Sequence, residues 1–270
     1  MTTFFAILAV GFFLGMRHAA DPDHVIAVTT IVTRSKKVAN AALVGALWGL
    51  GHTLTIVAVG ACIILFSVVV PPRIGLAMEL AVGLMLILLG VLNLAGMRVQ
   101  VAETLAAAAT AAEGDVHTHV HAHGDYVHTH VHGHGADKHT HSATHTPVAA
   151  LDRWFGGVAG YRWLRPLLVG VVHGLAGSAA VALLVLATIP SPRWAVAYLL
   201  VFGVGTIAGM MLITIAIATG LAWAGARSAW WAQRMALVSG LISVAFGLFI
   251  AYQIGFVQGL FTANPHWTPR

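Results

Sequence analysis

The sequence predicts an all-α integral membrane protein, with six transmembrane helices arranged as two inverted three-helix repeats. Three observations support this fold class: a very low charge content, six long apolar stretches, and an internal similarity between the two halves of the chain. Of the 270 residues, 59% are hydrophobic and only 9% are charged, and the mean hydropathy is +0.86. Soluble domains carry about 25% charged residues, so this composition indicates a chain that resides in a bilayer.

Each predicted helix depends on the length of an apolar stretch, because a transmembrane helix needs roughly 20 such residues. The predicted spans are 4–32, 39–69, 74–97, 164–189, 194–223 and 232–257. The first contains Pro22, which removes a helical hydrogen bond and clashes with the preceding turn. We therefore expect the first helix to be broken near Pro22, with the carbonyl group of His18 left free. The N-terminus lacks the basic segment of a signal peptide, so we interpret it as the start of a span.

The distribution of Lys and Arg predicts the orientation, because these residues favour the cytoplasmic side. Ten lie in the loops after the first, third and fifth predicted spans or within three residues of them, and three, Arg73, Arg193 and Arg270, lie on the opposite side. We therefore predict a multi-pass protein of the cell membrane with both termini outside. The predicted organisation is a three-span repeat over 1–97, a largely disordered cytoplasmic His-rich loop over 98–163, a second three-span repeat over 164–260 and a C-terminal tail over 261–270.

The two halves of the chain resemble each other at an offset of about 155 residues. The matching residues are Gly15 with Gly170, His18 with His173, Trp48 with Phe202, His52 with Thr206, Gly83 with Gly240, and Gly90 with Gly247. The two copies must run in opposite directions, because each holds an odd number of spans. Inverted repeats with broken helices are typical of transporters, whose binding site usually lies near the bilayer midplane.

A cluster of ionisable residues interrupts the first apolar stretch and reads Arg17-His-Ala-Ala-Asp-Pro-Asp-His24. Ionisable groups at membrane depth are costly, so they persist where they pair, line a wet cavity or bind an ion. The imidazoles of His18 and His24 with the carboxylates of Asp21 and Asp23 favour a first-row transition metal. The alternative is an internally paired salt-bridge cluster, including Arg17, that only shapes the fold.

Two further histidines lie in predicted spans. His52 follows Gly49 and Gly51, which let a neighbouring helix approach closely, and we predict that it is a metal ligand. A hydrogen-bonded packing role is the alternative for this residue. His173 occupies the place of His18 in the second half, and it could complete the metal shell, relay a proton or have a structural role.

The predicted loop carries a histidine-rich tract with an eleven-residue duplication. Its histidines are His117, His119, His121, His123, His128, His130, His132, His134, His139, His141 and His145. Tracts of this composition bind metals, and neutral imidazole favours nickel, copper, zinc and cobalt over hard cations. We predict a metal-buffering or gating role for this tract, with an inert spacer as the alternative.

Several function classes are disfavoured by composition. The net charge is +5, and the basic residues fall at span ends, as topology signals do. We therefore expect no nucleic-acid partner. The single cysteine, Cys62, argues against a membrane thiol-redox protein. No nucleotide-binding P-loop is present. An exporter of organic solutes has no need for paired histidines and aspartates in one broken helix.

Two motifs resemble the nickel/cobalt permease superfamily, in particular its shorter members named after the urease accessory protein H. The first motif, roughly R/K-H-A-x-x-x-D-H, matches Arg17–His24, and the second, L-G-H-S/T, matches Leu50–Thr53. The resemblance implies transport of nickel or cobalt. By position, it assigns metal binding to His18, Asp21, Asp23, His24 and His52.

The sequence therefore predicts a secondary permease for divalent nickel, with cobalt as a second candidate ion and uptake favoured over efflux. We expect no enzymatic activity and no cofactor apart from the transported ion. The expected partners are a divalent transition-metal ion and the lipid bilayer, with urease or hydrogenase maturation proteins as further candidates. Two alternatives stay open, namely a nickel/cobalt efflux protein and a membrane-anchored metal buffer that serves metalloenzyme maturation.

Overall fold

The fold is known from a computed structural model, and its described part is almost entirely helical. The structure describes residues 2–32, 38–66, 71–110, 116–123, 126–133, 160–174, 189, 191–227 and 229–267. The helices are α1 (Thr2–His18), α2 (Pro22–Val32), α3 (Val38–Phe66), α4 (Pro72–Thr110), α5 (Tyr161–Gly174), α6 (Pro192–Arg227) and α7 (Ala229–Tyr252). A short π-helical segment, Gln253–Val257, continues α7.

Four helical segments are long and apolar enough to cross a membrane: Ala39–Phe66, Pro72–Ala95, Pro192–Trp223 and Gln233–Val257. They agree with four predicted spans to within a few residues. The first predicted span is divided into two shorter apolar helices, as expected from Pro22. The fourth predicted span, 164–189, is described as a helix only as far as Gly174, and residues 175–188 lie outside the described part.

The break between α1 and α2 has a simple backbone cause. Helix α2 begins at Pro22, a position where the missing amide hydrogen is harmless because helix N-termini leave their first amides unpaired. The carbonyl oxygen of Asp21 accepts the amide of Val25 at 3.1 Å and so starts the new helix. The expectation of a free His18 carbonyl is wrong, because this oxygen accepts the Asp21 amide at 3.0 Å and closes a tight turn.

Helices α3 and α5 approach each other through two glycines. A Cβ atom on Gly51 would collide with the carbonyl oxygen of Leu167, and one on Gly170 would collide with the carbonyl oxygen of Trp48. Small residues permit such close backbone contact in membrane bundles. This contact brings α5, and His173 at its end, against α3.

Helices α1 and α6 meet in the same manner. A Cβ atom on Gly15 would collide with the carbonyl oxygen of Phe202, and one on Gly205 would collide with the carbonyl oxygen of Phe12. Helix α6 also packs along α3, and α4 packs along α7. The main helix contacts therefore join the first half of the chain to the second.

The outer surfaces of the helices are apolar, as a lipid-facing surface requires. Leu84 and Leu88 on α4, and Leu241 and Phe249 on α7, each expose more than half of their surface. The interior contains a cluster around the fully buried Trp48. Exposed apolar residues around buried polar groups support a membrane location.

The predicted disordered loop contains regular structure where it is described. Helix α4 continues to Thr110, and the strands β1 (Val116–His123) and β2 (Tyr126–Gly133) form an antiparallel hairpin. In this register the Cα atoms of His117, His119 and His121 pair with those of His132, His130 and His128. The hairpin does not test where the predicted loop begins and ends, so the boundaries at 98 and 163 stay predictions.

The C-terminal segment folds back on the first half of the chain. The indole N–H of Trp267 donates a hydrogen bond of 2.8 Å to Glu79 near the start of α4. The ring also covers Gly75, where a Cβ atom would collide with it.

Candidate metal centre

Four helices bring the predicted intramembrane site residues to one place. His18 ends α1, Asp21 precedes α2, and Asp23 and His24 belong to the first turn of α2. His52 comes from α3 and His173 from α5. All four histidines are buried, and His24, His52 and His173 are fully so.

His18 and His52 form a direct pair. Their Nε2 atoms lie 2.8 Å apart. The Nδ1 atom of His18 lies 2.9 Å from a carboxylate oxygen of Asp21. Because a carboxylate only accepts and a neutral imidazole has one donor nitrogen, Nδ1 of His18 donates to Asp21. Its Nε2 lone pair therefore faces His52.

His24 lies at the centre of the histidine cluster. Its ring centroid is 4.7 Å from that of His18, 4.9 Å from that of His52 and 4.3 Å from that of His173. The indole of Trp48 stacks on the His24 ring, with the two centroids 6.2 Å apart. His24 therefore contacts all three other buried imidazoles.

Asp23 contacts two histidines of the centre. One of its oxygens accepts a hydrogen bond of 3.0 Å from Nε2 of His173. The other lies 3.2 Å from Nδ1 of His24, close enough for an ion pair but without hydrogen-bond geometry. Among the described residues, the Asp23 side chain contacts imidazoles rather than the guanidinium of Arg17.

The donor atoms form two groups that could each hold a metal ion. The imidazole triad consists of His18, His24 and His52, and the carboxylate triad consists of Asp23, His24 and His173. Within each triad the donor atoms lie within 4.8 Å of one another. Asp21 belongs to neither triad and contacts the first only through His18.

Several buried nitrogen atoms in this centre have no hydrogen-bond partner within the described part of the chain. They are both ring nitrogens of His24, Nδ1 of His52, Nδ1 of His173 and Nε1 of Trp48. Buried polar atoms without partners are unfavourable. Their concentration at one place indicates a site that completes its bonding with a ligand.

Two aromatic residues of this centre were not among the predicted site residues. Trp48 contacts His173 edge-on at 5.4 Å, and Phe202 lies 5.6 Å from His18. The signal that could have identified them is their equivalence in the internal repeat. Each packs on the histidine of the other half.

The loop histidines are placed only in part. Seven of them lie on the hairpin strands, with the backbone register given above. His134, His139, His141 and His145 lie outside the described residues. Their assignment to metal binding stays a prediction.

Comparisons with known proteins agree with these features. The family model described as high-affinity nickel-transport protein, NicO, matches residues 3–157. The urease accessory protein UreH of Bacillus sp. (strain TB-90) is 32% identical over 256 residues, which cover 95% of this chain and 95% of that protein. No solved structure matches the chain. The resemblance predicted from the two histidine motifs is thereby confirmed, and this chain belongs to the NicO family of high-affinity nickel-transport proteins.

Proposed function

We propose that this protein is a secondary permease that carries Ni²⁺ across the membrane, with Co²⁺ as a second substrate and uptake as the direction. The observation that carries the proposal is the imidazole triad, three buried histidines from separate helical segments with their donor atoms within 4.8 Å. Membership of a nickel-transporter family implies a metal-ion substrate, a membrane location and a non-enzymatic role.

The donor set suits the proposed ion. Imidazole nitrogen is a favoured ligand of nickel and its neighbours in the first transition row. Metal–nitrogen bonds of about 2.0–2.1 Å place two ligands of one ion roughly 3 Å apart. The Nε2 atoms of His18 and His52 are 2.8 Å apart, so little rearrangement is needed for both to bind one ion. The carboxylate of Asp23 offsets part of the ion's charge.

Alternating access by two inverted repeats would expose this centre to each side of the membrane in turn. The glycine contacts support this arrangement, because they map onto each other through the repeat. Gly15 contacts the carbonyl oxygen of Phe202 on α6, and its counterpart Gly170 contacts the carbonyl oxygen of Trp48 on α3. Because Phe202 and Trp48 are also counterparts, the two contacts are equivalent in the repeat. Likewise, the contact between Gly83 and Gly247 becomes the contact between Gly90 and Gly240.

The proposal is tested by nickel uptake into proteoliposomes that contain the purified full-length protein. His18→Ala and His24→Ala are each expected to reduce the flux at least 100-fold, because a ligand of a buried ion is lost. His266→Ala is the matched control, since His266 is exposed in the C-terminal segment and distant in sequence from the centre. Wild-type flux in both variants of the centre would overturn the site assignment.

The direction of transport is tested in cells that are exposed to trace nickel. If the protein imports the ion, overexpression raises cellular nickel and deletion of its gene lowers it. The opposite pattern identifies the efflux alternative.

A second function, delivery of nickel to urease maturation, is favoured by the likeness to UreH and by the histidines of the hairpin. Deletion of residues 117–145 separates the two functions. Full flux in proteoliposomes together with reduced urease activation in cells would assign delivery to the hairpin. Because the centre supplies its own ligands, we expect transport to persist in this deletion variant.

A further inference from the structure

The two triads share one residue, His24, and otherwise use different side chains. We infer that the centre provides two successive positions for one divalent transition-metal ion, the imidazole triad on one side of His24 and the carboxylate triad on the other. This inference rests on the proposed transport function and describes the path of the ion through the site.

The ring of His24 has a free nitrogen for each position. Its Nδ1 atom lies 3.2 Å from Asp23 and therefore belongs with the carboxylate triad. Its Nε2 atom, whose lone pair points in a different direction, has no hydrogen-bond partner among the described residues. The centroids of His18 and His52 lie 4.7 and 4.9 Å away, so this second nitrogen is available to the imidazole triad. An ion that moves between the triads exchanges one ring nitrogen of His24 for the other, so His24 serves both positions.

The internal repeat relates the two positions. His18 corresponds to His173, and Phe202 corresponds to Trp48. The pair His18–Phe202, with centroids 5.6 Å apart, is therefore the counterpart of the pair formed by His173 and Trp48 at 5.4 Å. Inverted repeats are related by an axis in the membrane plane. Equivalent histidines then lie on opposite sides of the midplane, and each triad serves one side of the membrane.

The two positions differ in charge. The imidazole triad contains only neutral ligands, and its nearest carboxylate, Asp21, binds His18 instead of the site. The counterpart of His52 is Thr206, whose hydroxyl donates to the carbonyl oxygen of Phe202 at 3.0 Å. The second half thus lacks this histidine, and Asp23 supplies the third ligand. Opposite charge favours the ion at the carboxylate triad, so this position binds the ion more tightly.

The test compares nickel binding and nickel flux in the purified full-length protein. The paired substitutions His18→Ala with His52→Ala remove the imidazole triad, and Asp23→Asn with His173→Ala remove the carboxylate triad. His24→Ala removes the ligand that the two triads share. This variant serves as the blank for nickel bound elsewhere in the protein, because its hairpin histidines are unchanged. Equilibrium dialysis with Ni²⁺ and the visible spectrum of bound Co²⁺ are measured against this blank.

Each paired variant is expected to bind one ion more than the blank, with different Co²⁺ spectra because the ligand sets differ. Both are expected to lose at least 100-fold of the proteoliposome flux, because the path is interrupted. If either paired variant binds no more than the blank, the centre is a single merged site. If either transports at the wild-type rate, the triad it lacks is not a step in transport. Either result overturns the inference.

Two further measurements keep the result interpretable. Size-exclusion chromatography identifies a variant that aggregates, and His18→Gln or His173→Gln then replaces the alanine substitution under the same criteria. A wild-type protein that neither binds more nickel than the blank nor transports it would refute the proposed function itself. That outcome is distinct from the loss of binding in one paired variant alone.

Discussion

The hydrogen bond from His18 to Asp21 determines which nitrogen of His18 faces the centre. Replacing Asp21 with alanine removes this acceptor and leaves the side chains of both proposed triads in place. Since partners of metal-binding histidines typically contribute 10–100-fold to affinity, we expect Asp21→Ala to raise the nickel concentration for half-maximal flux by roughly this factor. The measurement is the nickel dependence of proteoliposome uptake.

Asp21→Asn is the companion variant, because its amide oxygen still accepts a hydrogen bond from Nδ1. Its apparent affinity should lie between those of the wild type and Asp21→Ala. The Asp21 side chain is 34% exposed, so the free energy of unfolding should change little in either variant. Equal affinity in all three proteins would show that Asp21 does not orient His18.

The sequence predicted the residues that the structure brings together, but not the different contacts of the two aspartates. On one continuous helix, Asp21 would be a neighbour of His18 and of His24, and Asp23 would point elsewhere. The chain instead turns between α1 and α2, which brings Asp23 against His173. A contact between residues 150 positions apart depends on helix packing, which local periodicity does not contain.

At the scale of helices, the contact between α3 and α5 makes a direct stability prediction. Gly51→Ala would place a methyl group against the carbonyl oxygen of Leu167. Overpacking of a close contact typically costs about 1–3 kcal/mol, so we expect a lower unfolding temperature in detergent and reduced nickel flux. Gly220→Ala is the matched control, because nothing lies within 4 Å of a Cβ atom at that helical position. A similar loss in both variants would contradict the packing argument.

Four of the predicted spans agree with long helices of the structure, because hydrophobic length alone is enough to indicate them. The hairpin was missed, although a signal for it was present. Val116–His123 alternates histidine with threonine, valine and alanine. Alternation with a period of two and β-branched residues is a strand pattern. The high polarity of the segment led instead to the expectation of disorder.

At the scale of the whole molecule, the predicted topology places both termini outside and the hairpin inside the cell. Cys62 is the single cysteine, so Cys62→Ser provides a background for labelling. A cysteine introduced at Asn264 should react with a membrane-impermeant maleimide in intact cells. One introduced at Thr118 should react only after permeabilisation. The reverse pattern would invert the orientation, and equal labelling of both in intact cells would place both segments outside.

The glycine contacts between the two halves also have a consequence for biosynthesis. Gly51 meets its partner surface on a helix that begins at Tyr161. Ribosomes add roughly 5–20 residues per second, so the nascent first half waits in the bilayer for on the order of ten seconds. During this interval its small-residue surfaces and buried imidazoles have no helix to cover them. If translation stalls in the segment that encodes the hairpin, the incomplete chain therefore depends on membrane chaperones. Such a chain is also a ready substrate for quality-control proteases.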